Sequence, residues 1–271
     1  MPTIRRYAPS VRFVTWNVNS IRQRLPRLLA LLVRHEPDVV CLQETKVADV
    51  DFPIGPLLDM GYGALSHGQG ARNGVAIVSR LPLEEISRGM PGDPVPDDAR
   101  ALFARVGGVT IGSLYAVNGK VVGDPAYEAK LAWYDALRAW TLETVDPAGA
   151  AVLAGDFNIA PDDRDVYDPD LWRGQNLASE PERERLRGLL EVGFEDLGRR
   201  AAGDVTGPFT FWDYRLGAFH RGWGLRIDLA LATAPIADRL VSAEVDRNER
   251  KPTSGEGKPS DHAPLIVTLS D

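Results

Sequence analysis

Residues 39–44 read Val-Val-Cys-Leu-Gln-Glu, a short and nearly continuous apolar run that ends in a carboxylate. A run of this kind is expected of a buried strand, and here the strand delivers Glu44 at its end. Upstream, residues 25–34 place Leu28, Leu31 and Leu32 at helical spacing, with Pro26 expected in the first turn and Pro37 ending the helix. Further back, residues 11–17 (Val-Arg-Phe-Val-Thr-Trp-Asn) alternate apolar and polar side chains as a half-buried strand does. Downstream, strands are read at 75–79, 101–106, 109–115, 151–155, 227–232 and 264–269, and helices at 125–144 and 180–192. Segments 88–100, 161–176 and 214–224 are rich in Gly, Pro and Asp and read as long loops, which inside a compact domain are usually functional or disordered.

No linker divides the chain, so residues 11–271 read as one domain with strands outnumbering helices, preceded by a polar tail at 1–10. The chain is 44% hydrophobic and 25% charged, enough apolar material for a sizeable core and not the composition of a disordered chain. Its 26 Gly and 20 Pro follow no period, which argues for many short elements joined by turns rather than a low-complexity chain. The densest apolar stretch, residues 28–33, is far shorter than the ~20 residues a membrane span needs, and Arg5 and Arg6 are followed by no apolar leader segment. A single cysteine, Cys41, has no partner for an intramolecular disulfide, so a reducing cytoplasm is expected. The net charge of −7 lowers the expectation of loose polyanion binding, yet an enzyme that gathers carboxylates around a cation can be acidic and still receive phosphate.

Several strands end in acidic or amide side chains. Glu44 follows one, Asp156 and Asn158 follow Ala151-Val-Leu-Ala-Gly155, and Asp261-His262 precede the last. Mg²⁺ accepts carboxylate, amide and water oxygens, and it takes only one or two protein carboxylates beside water and substrate phosphate. The pattern points to metal-assisted phosphoryl chemistry. On extended backbone Asp156 and Asn158 point to one face while Phe157 packs on the other. Taken alone, Gly-Asp-Phe-Asn reads equally well as a turn whose side chains bond their own backbone, and Glu44 as a solvated rim residue. Among four histidines, His35 falls in a last helical turn, and His67 and His220 fall in loops where solvent exposure is expected. None has zinc-site spacing. His262 differs because Asp261 adjoins it ahead of an apolar strand, where a carboxylate can hold a histidine cationic at neutral pH; a capped turn histidine is the other reading.

The order of these blocks carries a family resemblance. Trp16-Asn17-Val-Asn19, Leu42-Gln43-Glu44-Thr45-Lys46, Gly155-Asp156-Phe157-Asn158-Ile159, Phe209-Thr-Phe-Trp212, Leu225-Arg226-Ile227-Asp228 and Lys258-Pro-Ser260-Asp261-His262-Ala-Pro264 stand in one sequence. In this order they resemble exonuclease III and its relatives, the AP endonucleases of the endonuclease/exonuclease/phosphatase superfamily, from Val11 to Leu269. The resemblance implies a four-layer α/β sandwich, two mixed β-sheets packed face to face with helices outside and the active site at one edge of the sheets. It makes Glu44 the principal Mg²⁺ ligand, with Mn²⁺ an accepted substitute, Asn17 and Asn19 beside it, and Asp261 near a second metal position. Asp156 becomes the group that orients or deprotonates the attacking water, Asn158 its amide partner, and Asp228 the residue that orients His262 toward a phosphate oxygen. Tyr115 matches the family tyrosine near the scissile phosphate.

For substrate, the resemblance aligns Phe211, Leu225 and Ile227 with the apolar pocket that receives a flipped abasic sugar. Trp212 and Trp223 are candidates to buttress that wall, although ordinary core packing is the better reading for Trp212. Arg72, Asn73, Arg100, Asn118 and Lys120 are candidate phosphate contacts; for each alone a solvated loop residue is the better reading, and together they would supply positioning without base specificity. Where the family usually has an Asn two residues before this tyrosine and a Pro two after it, the chain has Ser113 and Val117, so a differently set phosphate-contacting loop is expected. The implied activity is a Mg²⁺-dependent DNA repair nuclease that cuts 5′ of abasic sites and trims 3′ ends or 3′ phosphates of duplex DNA, acting as a monomer without a membrane or an obligate protein partner. The alternatives are the same chemistry on a non-DNA phosphodiester or phosphomonoester, and a non-catalytic DNA-binding relative.

Overall fold

Residues 10–271 are described by a computed structural model, in which short strands, some in unbroken succession, are interspersed with helices. The first half runs β1 (Ser10–Asn17), α1 (Ile21–His35), β2 (Val39–Gln43), α2 (Ile54–Leu58), β3 (Gly63–His67), β4 (Val75–Ser79), β5 (Leu83–Arg88), β6 (Ala101–Val106), β7 (Val109–Tyr115) and α3 (Pro125–Thr144). The second half runs β8 (Ala151–Asp156), α4 (Pro169–Trp172), α5 (Glu180–Leu190), β9 (Phe194–Asp196), α6 (Leu197–Ala202), α7 (Ala218–Arg221), β10 (Asp228–Thr233), α8 (Ala234–Ala237), β11 (Leu240–Val245) and β12 (Leu265–Ser270). Two six-stranded sheets result, ordered β11-β12-β1-β2-β4-β3 and β5-β6-β7-β8-β10-β9. Each has one parallel pair at its centre, β1 with β2 and β7 with β8, and antiparallel neighbours on both sides. The pairs are joined by α1 and α3, because parallel neighbours need a crossover that returns the chain to the same end.

The inner faces meet in a shared core that includes Phe13, Cys41 and Ile77 from one sheet and Ala104, Val152 and Ala230 from the other. Outer faces are covered by α1 (Leu28, Leu31 against Val14, Val40) and by α3 and α5 (Trp133, Leu137, Leu189 against Phe103, Leu153). Central strands buried on both faces explain the unbroken apolar reading of 39–43. This is the layered sandwich of two mixed sheets that the resemblance implied. Arg27, buried on α1, pairs with Glu249 and donates to the carbonyls of Lys251, Gly255 and Gly257. It thereby anchors the segment that leads to Asp261 and His262.

Several sequence expectations need correction. The polar tail expected at 1–10 lies outside the described residues except for Ser10, which begins β1. Helix α1 starts at Ile21, so Pro26 lies inside it rather than in its first turn. The missing N–H would have met the carbonyl of Arg22, and both residues are exposed, so that carbonyl is open to solvent rather than stranded in the core. Two segments read as loops, 161–176 and 214–224, contain α4 and α7, and His67 ends β3 half-buried with Nδ1 3.2 Å from the Ala101 carbonyl.

One glycine sets the approach of β8 to β7. A Cβ at Gly155 would lie 1.9 Å from the carbonyl oxygen of Leu114, its register partner. Gly155→Ala is therefore expected to destabilise the chain by about 2 kcal/mol or more in urea denaturation. A change below about 0.5 kcal/mol would mean that the ladder relaxes freely there.

Candidate active site

The topology brings the polar residues to one edge. Parallel strands β1, β2, β7 and β8 finish there with Asn17, Gln43 (followed by Glu44), Tyr115 and Asp156, while antiparallel β10 and β12 begin there. Asp228, the first residue of β10, stands in register opposite Asp156. His262 lies just before β12. The chain must turn sharply at these ends, and Asn19, Glu44, Lys46 and Asn158 all hold φ between 43° and 53°. Non-glycine residues adopt that region only when the surroundings enforce it.

Asn17 is the junction. Its amide nitrogen donates to Glu44 Oε1 (2.9 Å) and to Asp156 Oδ2 (3.0 Å), while its Oδ1 accepts from the N–H of Asn19 (3.0 Å). Ser260 Oγ donates to the Asn17 carbonyl (2.7 Å) and accepts from the N–H of His262 (3.2 Å). His262 Nδ1 lies 2.8 Å from Asp228 Oδ2, and its Nε2 lies 3.7 Å from Asp156 Oδ2. The backbone of Asp228 is fixed in turn by its N–H to Thr210 Oγ1 (3.1 Å). Asn158 donates its N–H to Asp156 Oδ1 (2.9 Å) and its amide to the Ala116 carbonyl (3.0 Å), and its Oδ1 accepts from Asn118 (2.9 Å). Lys46 Nζ sits 2.7 Å from Glu44 Oε2 and 2.5 Å from Asn19 Oδ1, and Asn19 donates to Asp261 Oδ1 (3.0 Å).

The two key carboxylates are set apart by their surroundings. Burial pushes Glu44 up, but the Lys46 ammonium and the Asn17 amide outweigh it and hold the carboxyl below its usual range. Asp156 moves the other way: burial raises it and Asp228 adds to the rise, against the pull of His262 and Asn17. For His262 burial opposes protonation, yet Asp228 and Asp156 together raise the imidazole to about 10. Tyr115 is raised well above an ordinary phenol by burial and by the charges of Glu44 and Asp156, so it stays protonated.

Ligand atoms of Asp156, Asp228 and His262 lie within 4.8 Å of one another, near enough to suggest a metal cluster. A protonated imidazole has no lone pair to give, so this trio reads as a proton-sharing group instead. Glu44 and Asn19 offer only oxygens, already accept the Lys46 ammonium, and are half-exposed, so water can complete a shell there. That donor set fits a hard divalent ion.

Beside His262, the ring of Phe211 lies 4.9 Å away centroid to centroid and forms part of a cavity of about 520 Å³, with Tyr167, Trp172, Trp223 and Leu225. Ile227 packs behind this wall. Trp212 does not face the cavity: it is 1% exposed and packs edge-on against Phe219. Trp223 does, stacked on Tyr167. A second groove of about 570 Å³ continues past Trp172 and Phe211 to Asn118 and Lys120, the latter with a 71% exposed side chain. Arg100 is held by Asp98 and lies over the Tyr115 ring, so it supports the tyrosine rather than standing free. Asn73 is buried against Gln69, its carbonyl accepting from Lys46 N–H, and Arg72 lies out on the surface paired with Asp98. Ser113 turns into the layer between the sheets, where Oγ donates to the Leu42 carbonyl (3.1 Å) and accepts from Gln43 (3.2 Å), and Val117 is buried. Ser113 thus bonds across to the first sheet, and Val117 packs in the core beneath α3.

Sequence reasoning quoted Lys46 and Ser260 within their blocks without giving them a role, and did not single out Tyr167, Trp172 or Lys130. Lys130 had a legible signal, a lysine on the apolar stripe of α3 between Tyr127 and Tyr134.

Residues 14–262 match the Endonuclease/Exonuclease/phosphatase family. The chain belongs to that family. Exodeoxyribonuclease III of Haemophilus influenzae is 31% identical, covering 94% of this chain and 98% of its own length. The solved 3′ phosphatase NExo from Neisseria, bound to product DNA hairpin, is 36% identical with a TM-score of 0.92, over 96% of this chain and 100% of that one. An AP endonuclease from Archaeoglobus fulgidus is 36% identical with a TM-score of 0.90, over 96% and 99%.

The raised imidazole has a thermodynamic consequence. His262 holds its proton to about pH 10 when folded, and to about 6.5 when unfolded. Its stabilisation is therefore full below the unfolded value and lost as pH rises through the folded one. In EDTA, the stability advantage of the wild type over His262→Gln is expected to shrink by more than about 1 kcal/mol between pH 6.5 and 10 in urea titrations. A difference that stays constant across that window would show that the histidine folds neutral.

Proposed function

We propose that this chain is a Mg²⁺-dependent DNA repair nuclease, with Mn²⁺ able to substitute, that hydrolyses phosphodiesters 5′ of abasic sites and trims 3′ ends and 3′ phosphates of duplex DNA. The observation that carries the reading is the placement of His262, which lies between Asp228 and Asp156 and abuts an apolar cavity through Phe211. An abasic nucleotide has no base to stack, so it costs little to extrude, and Phe211 and Leu225 offer the sugar an apolar wall. The similarity to an exodeoxyribonuclease III, a 3′ phosphatase and an AP endonuclease supports the same substrate class.

Glu44, with Asn17 and Asn19 beside it, would hold the ion, and Asp261 marks a second position. Bound there, the ion neutralises phosphate oxygens and so lowers the repulsion that a diester presents to its nucleophile. The remaining work falls to the chain. Asp156 accepts a proton from the attacking water, held in place by the N–H of Asn158 and the Asn17 amide. His262 donates Nε2–H to a non-bridging oxygen while Asp228 fixes the ring through Nδ1. The water oxygen bonds to phosphorus as the bond to the 3′ oxygen breaks in line, and the Tyr115 hydroxyl offers its proton to that leaving oxygen. Asn118 and Lys120 line the groove along which flanking phosphates would lie. The chain acts as a monomer in the cytoplasm, where a lone buried thiol such as Cys41 stays reduced.

Labelled duplexes carrying an internal abasic analogue, a recessed 3′ end or a 3′ phosphate are expected to be processed in Mg²⁺ and left intact in EDTA. Glu44→Ala and Asp156→Asn should each lower kcat by about 100-fold or more with the far-UV circular dichroism unchanged. Turnover retained in either variant contradicts the assigned roles. Phosphate released from sphingomyelin or an inositol phosphate, with every duplex left whole, would transfer the chemistry to another substrate.

A further inference from the structure

Beneath the turn that carries Asp156 and Asn158 lies a lysine that touches no solvent. Lys130 projects from the middle of α3, on the same face as Tyr127 and Tyr134. Its Nζ donates to the carbonyl of Asn158 (2.6 Å), to the carbonyl of Asn118 (3.2 Å) and toward Asn176 Oδ1 (3.4 Å), and it pairs with the buried carboxylate of Glu182. Glu182 is the N3 residue of the capping box that opens α5. Its oxygens also accept from the N–H of Leu177 (3.0 Å) and of Ser179 (3.0 Å), so it cannot swing away from the lysine without stripping the helix N-terminus. One turn further along α3, the Tyr134 hydroxyl donates to the Phe157 carbonyl.

These bonds converge on backbone, and on one stretch of it. Asn158 holds φ at 50°, a conformation that persists only where neighbours over-determine it. Its side chain is bonded to Asn118, whose carbonyl the same ammonium holds. A buried ion pair is a poor device for stability alone, since well-packed apolar residues of similar size do as well. What an apolar pair lacks is a donor for the two carbonyls. We infer that Lys130, neutralised by Glu182, is a positioning residue of the proposed nuclease centre: it clamps the Asn158 and Asn118 carbonyls together and so fixes where Asp156 and the substrate-side loop stand. Burial depresses the ammonium, but Glu182 opposes that and keeps the donor available.

The inference rests on the nuclease reading, and the test separates the two. Lys130→Met alone leaves Glu182 as an unpaired buried charge, so the informative protein is the double variant Lys130→Met/Glu182→Gln, which removes both charges at once. It should fold, cut the abasic duplex in Mg²⁺ with kcat lowered about 10- to 100-fold, and keep KM within about twofold, because misplacing a reacting group costs rate more than binding. Backbone amide exchange across residues 156–159, read by mass spectrometry without metal or DNA, should accelerate. Leu32→Ala, a cavity on the far outer layer, should lower the melting temperature and leave kcat unchanged. A folded double variant with kcat within about twofold of wild type overturns the inference, as does a loss that only tracks the folded fraction. Wild type that cuts no duplex rejects the nuclease reading; unchanged exchange at 156–159 rejects the clamp, whatever the chain cuts.

Discussion

The site is organised by one amide group. The Asn17 nitrogen, on β1 of the first sheet, donates both to Glu44 at the end of β2 and to Asp156 at the end of β8 in the second sheet. An amide nitrogen has two protons, and both are committed. The two carboxylates are thus held side by side without sharing a proton directly, and each is free to be tuned by what lies on its other flank. Sheet packing supplies the approach: an inner layer with small side chains such as Ala104, Ala154 and Ala230 brings the ends of β1 and β8 together. A substitution that thickens this layer would separate the carboxylates before it exposed either one.

From that junction the chemistry divides. On the Glu44 flank stand a lysine and oxygen donors with partial access to water, conditions that keep a carboxylate ionised and accept a hard cation. On the Asp156 flank stand a buried imidazolium and a second buried carboxylate, conditions that hold protons. Asp228 Oδ1 has no hydrogen-bond partner among the described residues, so the orienting carboxylate is bonded through one oxygen only and fixes the orientation of the imidazolium ring through Nδ1. Two opposite electrostatic environments therefore coexist within one cleft. Below it, the pair of Lys130 and Glu182 ties the Asn158 turn to two helices of the outer layer. The charged groups of the centre rest on backbone that has little freedom to drift.

Much of this was legible in the sequence, for reasons that also explain the remainder. Strands buried on both faces announce themselves as apolar runs, and β2, β4, β6 and β7 fall where they were read. The strands that went unread, β3, β5, β9 and β11, are sheet edges or short pieces with mixed exposure, so their side chains carry little periodicity. Helix α1 begins a turn early because backbone bonds from Ser20 and Ile21 to the Glu44 and Thr45 carbonyls start it, although the Ser20 side chain makes no cap. Glu44, Asp156, Asp228 and His262 were readable from strand ends and block order. Trp172 and Tyr167 were not, since they lie in a Pro- and Asp-rich segment whose aromatics gain a purpose only when folded against Phe211 and Trp223. Choosing between Trp212 and Trp223 as the cavity residue depended on which side chain faces inward, and only the fold decides that.

The division between a cation-holding and a proton-holding carboxylate can be read most directly from anomalous diffraction on crystals soaked in Mn²⁺. The account places the manganese peak against the Glu44 carboxylate, with His262 still hydrogen-bonded to Asp228. A peak lodged among Asp156, Asp228 and His262, with Glu44 left to Lys46 alone, would contradict it.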